Sequence, residues 1–282
     1  LKMKKVIHVL FVCFTFTQMA LSQTREVKVL DTNWKFQKGD FEEASKVNFN
    51  DSKWESVTVP HDWAIYGPFD KNVDIQKVAI VQNGESIATE KTGRTGALPH
   101  IGTAWYRNTF TIPKDSKGKK IILLFEGAMS EPQVYLNGKK VGEWAYGYSY
   151  FYFDVSQFIK EGANVLSVKL TNKEFASRWY PGAGLYRNVS VIVKNNESIE
   201  QWGQFVTTPF ITEELAKVNI KTKVSGENTR LVTTIFDAEG KKLNSEESTL
   251  QFGNEFDQNL KVEKPKLWSP ETPYLYKAVS QL

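Results

Sequence analysis

An all-β chain of two consecutive sandwiches is what this sequence predicts, on three observations. Apolar and polar residues alternate at a period of two in one segment after another. No stretch beyond residue 22 keeps a long apolar stripe at the helical period. Turn-forming residues punctuate the alternation at short intervals.

The first segment stands apart from that pattern. Lys2, Lys4 and Lys5 precede an apolar run over 6–20, broken by His8, Cys13, Thr15, Thr17 and Gln18, and Ala20-Leu21-Ser22 follows. Residues 1–22 therefore read as a secretory leader cut after Ser22, with Met3 as the expected start. The run is shorter than the roughly 20 apolar residues a membrane span needs, so no anchor is expected. The one cysteine, Cys13, leaves with the leader. The mature protein is then exported yet free of disulfides, and its fold must rest on its cores.

Between 105 and 112, Tyr106, Asn108, Phe110 and Ile112 alternate with Trp105, Arg107, Thr109 and Thr111, as in a strand. The run 121–125 is apolar throughout, the mark of a strand buried on both faces. Asn137-Gly138 between 134–136 and 139–141 predicts a hairpin, since both turn residues must accept positive φ. Tyr148, Tyr150 and Tyr152 share one face of a strand and Phe151 and Phe153 the other, so one set must be core. A helical turn is expected over 154–159, capped by Asp154. The segments 164–170 and 189–193 complete a first sandwich spanning residues 23–194.

At Lys194-Asn195-Asn196-Glu197 the chain turns polar. Beyond it Val218, Ile220, Thr222 and Val224 line one strand face, 231–236 follows, and a turn is expected at 237–240. Leu250, Phe252, Leu260 and Val262 are assigned to further strands. A smaller immunoglobulin-like sandwich over 195–282 is expected, with one continuous sandwich as the alternative. The run 274–282 reads as a strand at the end of the sequence, which suggests a piece of a longer protein.

Charge and chemistry narrow the function. The 36 Lys+Arg, less the three leader lysines, leave 33 against 32 Asp+Glu. A near-neutral chain gives no reason to expect nucleic acid or an anionic membrane as partner. With no cysteine left, no histidine pair at ligand spacing and no phosphate-cradling glycine loop, no metal or cofactor site is read. His61 and His100 lie beside no nucleophile, so no catalytic residue is assigned. Aromatic residues reach 13%, with 8 Trp and 11 Tyr. Such rings fill sheets, and they also stack on the apolar faces of sugars. Trp34, Trp54, Tyr135 and Trp144 are assigned to the core. Arg178 and Trp179 sit in a Pro/Gly loop, 177–184, and are the candidates for a ligand or an interface.

These motifs, taken together and in order, resemble one family. Pro60-His61-Asp62-Trp63, Trp105-Tyr106-Arg107 with Phe110, Phe125-Glu126-Gly127, Val134 to Gly138, Gly147-Tyr148, and the run from Arg178-Trp179-Tyr180-Pro181-Gly182 to Tyr186-Arg187-Asn188-Val189 are similar to the amino-terminal domain of glycoside hydrolase family 2. Leu267-Trp268-Ser269-Pro270-Glu271 with Pro273-Tyr274-Leu275-Tyr276 resembles the end of that family's immunoglobulin-like domain. The resemblance implies a jelly-roll sugar-binding domain, an immunoglobulin-like domain, and then a catalytic (β/α)₈ barrel that would follow residue 282. It implies a β-galactosidase-like retaining hydrolase of β-linked sugars whose two catalytic glutamates lie on the barrel, so the present chain is expected to be inactive alone. It further implies that the loop 67–74 reaches the sugar, with Asn72 as a substrate-side amide and Asp74 as its companion. A second contact falls near Arg178 and Trp179, where the family's better-known pattern has an acid and this chain has Arg178. The loop 92–96 either covers the pocket or is a solvated turn. β-Glucuronidase, β-mannosidase, a free-standing carbohydrate-binding module and a purely structural interaction domain are the alternatives, and the oligomeric state is left open.

Overall fold

A computed structural model describes residues 25–282 except 92, 94, 176–178, 227–229 and 251. The expected leader and Arg178 lie outside the described residues. The first twelve strands are β1 (Arg25–Val29), β2 (Trp34–Lys38), β3 (Glu55–Val57), β4 (Gln76–Val78), β5 (Thr89–Lys91), β6 (Gly102–Thr111), β7 (Lys120–Phe125), β8 (Gln133–Leu136), β9 (Lys139–Glu143), β10 (Phe151–Asp154), β11 (Ala163–Asn172) and β12 (Val189–Lys194). Six more follow: β13 (Ser198–Ile211), β14 (Leu215–Ser225), β15 (Arg230–Phe236), β16 (Lys242–Thr249), β17 (Glu255–Glu263) and β18 (Lys277–Gln281).

Two antiparallel sheets form the first sandwich, one ordered β1-β12-β7-β10 and the other β3-β2-β6-β11-β8-β9. Their facing sides enclose the main core, which includes Trp34, Phe36, Tyr106, Phe125, Phe151, Leu166 and Val191. The alternation on β10 resolves as the pleat requires: Phe151 is core, while Tyr150 and Tyr152 remain 48% and 38% exposed on the other side. The outer face of the six-stranded sheet is covered by the chain before β3. There Trp54 and Ala44 pack with Trp105, and the buried Arg107 guanidinium pairs with Asp51 at 2.7 Å. The same guanidinium donates to the Ala44 carbonyl and, at 2.9 Å, to Ser167 Oγ.

The β8–β9 hairpin turns at Asn137 (φ 53°) and Gly138 (φ 82°), the left-handed pair that a two-residue hairpin demands. β9 is the free edge of its sheet, carries the exposed Lys139 and Lys140, and joins β8 through a register shift at Val134/Tyr135.

The second unit is also a sandwich, of two three-stranded antiparallel sheets, β13-β14-β17 and β16-β15-β18. Ile220, Ile235, Leu260 and Val262 form its centre. On β14, Ile220, Thr222 and Val224 are buried and Val218 packs against the core around Ile220, as the alternation predicts.

The segment 154–159 makes the expected single turn, with the Phe158 N–H on the Val155 carbonyl at 2.8 Å, the Ile159 N–H on the same carbonyl at 3.2 Å, and Asp154 Oδ1 accepting from the Ser156 N–H at 3.0 Å. Three local expectations are corrected. Leu250 and Phe252 lie outside any strand, and Phe252 is 90% exposed, because the chain reverses there between β16 and β17. Trp144 is 40% exposed and stacks its ring on Phe151 from the rim of the core. The final strand is shorter than 274–282: Tyr274 precedes it and spends its hydroxyl on Glu239.

Candidate functional site

One edge of the first sandwich gathers the loops that the motifs occupy. Asp62 is their hub. Its carboxylate accepts from the Ala64, Ile65 and Ala183 backbone N–H groups at 3.0, 3.2 and 3.2 Å, and from the Tyr180 hydroxyl. Backbone bonds run alongside, from the His61 N–H to the Leu185 carbonyl at 2.8 Å and from the Trp63 N–H to the Ala183 carbonyl at 2.9 Å. The segments 61–65 and 180–185 are thereby sewn together. Burial and the bond to Asp62 push the Tyr180 phenol well up, so it stays a protonated donor.

Gly184 explains why the loop needs a glycine there. Its φ is 137°, and a Cβ would collide with the His61 carbonyl and the Tyr106 hydroxyl. Behind it, His61 Nδ1 and the Tyr106 hydroxyl are 2.7 Å apart. Burial lowers the His61 pKa, partly offset by the Glu55 and Asp62 carboxylates, and burial raises the Tyr106 phenol well above its ordinary value. The pair therefore favours its uncharged forms, which suits packing against Phe36 better than proton transfer.

The loop 67–74 joins this assembly through its neighbour. The Asp70 N–H donates to the Ala97 carbonyl at 2.8 Å, and Leu98 packs with Ala64 and Ala183. Asn72 is exposed, on a turn in which its N–H donates to Asp70 Oδ1 at 2.9 Å. Asp74 differs: it is buried, accepts from Gln76 Nε2 at 2.9 Å and from the Thr95 hydroxyl at 3.2 Å, and so ties 67–74 to the segment after 94.

Trp179 is 59% exposed at the mouth of a cleft of about 250 Å³. Its indole N–H donates to the Tyr148 hydroxyl at 3.0 Å. Asn72 and Asp74 are not among the described residues that line this cleft. The cleft also contains Glu131 and Lys173, which sequence reasoning missed: they lie far apart in the chain and neither belongs to a motif. Glu131 is the one carboxylate among the described lining residues. The paired acids of a glycosidase are thus not assembled in this cleft. Among the described residues no group of three His, Cys, Asp or Glu side chains is placed to hold a metal, and no helix is long and apolar enough to cross a membrane.

Two family models match the chain in order. The glycosyl hydrolases family 2 sugar binding domain covers residues 27–195, and a second glycosyl hydrolases family 2 model covers residues 198–282. A β-galactosidase of Bacteroides ovatus is 34% identical over 274 residues, which are 93% of this chain and 30% of that protein. A putative β-glucuronidase of Formosa agariphila is 32% identical over 255 residues, 89% of this chain and 23% of that protein. Among solved structures, a β-glycosidase from Bacteroides vulgatus matches with a TM-score of 0.77 at 30% identity, over 91% of this chain and 31% of that one. A Bacteroides uniformis β-glucuronidase matches with a TM-score of 0.76 at 28% identity, over 91% of this chain and 30% of that one. The chain therefore spans less than a third of the length of each of these relatives.

Proposed function

The chain belongs to glycoside hydrolase family 2, and from that premise we propose that it is the non-catalytic front portion of an exported β-galactosidase-like enzyme. The parent would be a retaining hydrolase of β-linked sugars, with its reaction on a separate (β/α)₈ barrel. The first sandwich, up to Lys194, would brace that barrel and lend side chains to the sugar site, and the second would link the two. The observation that carries this reading is the ordered match of both sandwiches to the front of β-glycosidases three or more times as long. The single carboxylate among the described residues of the Trp179 cleft agrees with chemistry placed elsewhere.

In this reading Asn72 is the substrate-side amide, presented by its turn. Asp74 is a positioning residue, since Gln76 and Thr95 already hold its carboxylate. Trp179 offers its indole face, and Arg178 is its companion on the same loop. Export rests on the leader at 1–22. A β-glucuronidase is the second reading, favoured by the relatives from Formosa agariphila and Bacteroides uniformis that carry that name.

The test is hydrolysis of nitrophenyl β-galactoside and β-glucuronide by two proteins in parallel, the present chain and the gene product extended to its stop codon. Cleavage by the extended protein alone is expected, and the preferred glycoside decides between the two readings. Cleavage by the present chain would overturn the assignment and require a carboxylate pair within it.

A further inference from the structure

Three cations stand in one row where the two sandwiches meet. Arg25 on β1 lies directly opposite Lys194 on β12, and Lys194 lies directly opposite Lys120 on β7. Directly opposite residues share a face of the sheet, with Cβ atoms about 4.5–5.5 Å apart, and like charges so placed repel. The neighbours Ile121 and Val193 belong to the main core, so the pleat turns Lys120 and Lys194 to the outer face, and Arg25 with them. The middle cation is the anomaly. Lys194 is only 4% exposed, and lysine is seldom fully buried unless it is paired. Its ammonium donates to the Ile199 carbonyl at 2.8 Å, a neutral acceptor that uses one of three donors. Burial first, then the charges of Lys120 and Arg25, push its pKa down, and Glu200 and Asp154 offset this in part.

The carboxylates at hand leave that charge unmatched. Asp154 belongs to Lys120, at 3.9 Å. Glu197 lays its stem against Gly226 of the second sandwich. Among the described residues no ion pair involves Arg25, Lys194, Glu197 or Glu200. Arg25 and Lys194 line an open cleft of about 930 Å³ at the seam, which Glu197 and Glu200 also line and to which Asn195, Asn196 and Gln201 add side-chain amides.

Valence selects the ligand class. A carboxylate brings one negative charge against a row of three cations. A sulfate or phosphate group brings close to two, with oxygens that accept from several sides at once. Small-molecule sites run from about 300 to 1,000 Å³, so the cleft has room for whatever carries the group.

We propose that the seam between the sandwiches holds a site for a sulfate or phosphate group, free or carried on a small molecule, bound by Lys194 with Arg25 and Lys120 on either side. None of these residues belongs to the loops gathered around Asp62, and binding here requires no hydrolase activity, so the test reads no turnover.

The gene product extended to its stop codon is titrated calorimetrically with sodium sulfate, sodium phosphate, sodium acetate and galactose 6-sulfate, at an ionic strength held constant with sodium chloride. Low-millimolar ligand keeps the general salting-out effect of sulfate out of the signal. Saturable binding of sulfate and phosphate is expected, and none of acetate. Lys194→Met should weaken sulfate binding about tenfold, the equivalent of one hydrogen bond to a charged group. Arg25→Gln and Lys120→Gln, at more open positions, should each weaken it several-fold, and they carry the test if Lys194→Met does not fold. Galactose 6-sulfate binding more tightly than inorganic sulfate assigns the site to a carried group, and equal or weaker binding assigns it to the free ion. Absence of saturable sulfate and phosphate binding, or affinity unchanged in Arg25→Gln and Lys120→Gln, overturns the site. Acetate bound as tightly as sulfate overturns the choice of a doubly charged group.

Discussion

Replacing Asp62 with alanine removes the acceptor that three backbone N–H groups and the Tyr180 hydroxyl share. The Ile65 N–H is exposed and can turn to water. The Ala183 N–H and the Tyr180 hydroxyl are less free to do so, because Ala183 is fully buried and Tyr180 is packed beside it. A hydrogen bond to a charged group contributes about 1.5–3 kcal/mol. Two such bonds, discounted because Asp62 itself is only half-buried, give a loss of about 2–4 kcal/mol for Asp62→Ala. For a domain of this size each kcal/mol moves the melting temperature by about 2–4 °C, so a fall of about 10 °C is expected. Urea unfolding by circular dichroism gives the free energy directly. Tyr180→Phe, which removes one donor, should cost about 1 kcal/mol. The double variant should then lose less than the sum of the single losses, because the two groups share one bond. A cost below about 1 kcal/mol for Asp62→Ala, or strict additivity with Tyr180→Phe, would refute the hub.

Further predictions address other parts of the fold. Gly184→Ala should cost about 3 kcal/mol or more and reduce the soluble yield, since φ 137° and the collision with His61 and Tyr106 act together; expression with thermal melting checks it. Arg107→Met should cost about 3 kcal/mol in urea titration, because it strips Asp51 of its partner and leaves the Ala44 carbonyl and Ser167 without their donor. The His61 pKa is depressed in the folded state, so the unfolded state binds the proton more readily and stability must fall as pH drops below about 6.5. Melting temperatures between pH 8 and pH 5 should show that fall, and His61→Gln should flatten it. In the full-length gene product, Asn72→Ala should lower kcat/KM by an amount equivalent to about 1–3 kcal/mol, without a change in melting temperature.

The parts of this fold that were legible in the sequence are those set by local rules. Asn137-Gly138 announced its hairpin because positive φ is a property of two adjacent residues. The tyrosines and phenylalanines around Phe151 sorted onto opposite faces because the pleat leaves no other choice. Strand faces such as Ile220, Thr222 and Val224 followed for the same reason. What escaped is what distance in the chain creates. Asp74 read as a companion of Asn72, but Thr95, twenty-one residues on, claims its carboxylate. Trp144 read as core by its size, yet it stops at the rim, where Ser149 takes its indole N–H at 3.0 Å. Glu131 and Lys173 look like ordinary surface charges until β8, β11 and the Trp179 loop bring them to one cleft. The Pro/Gly loop 177–184, singled out in the sequence for Trp179, was the signal that pointed there.

The free edge at β9 has a consequence of a different kind. An unpaired strand is a template on which a second molecule can extend the sheet, and crowding favours such growth. Here the invitation is withdrawn twice. Lys139 and the Lys140–Glu143 ion pair line the edge with charged side chains whose water an added strand would have to strip, and the slip at Val134/Tyr135 bends the hydrogen-bonding row out of line. The charged, slipped edge of β9 thus also keeps neighbouring molecules apart in concentrated solution.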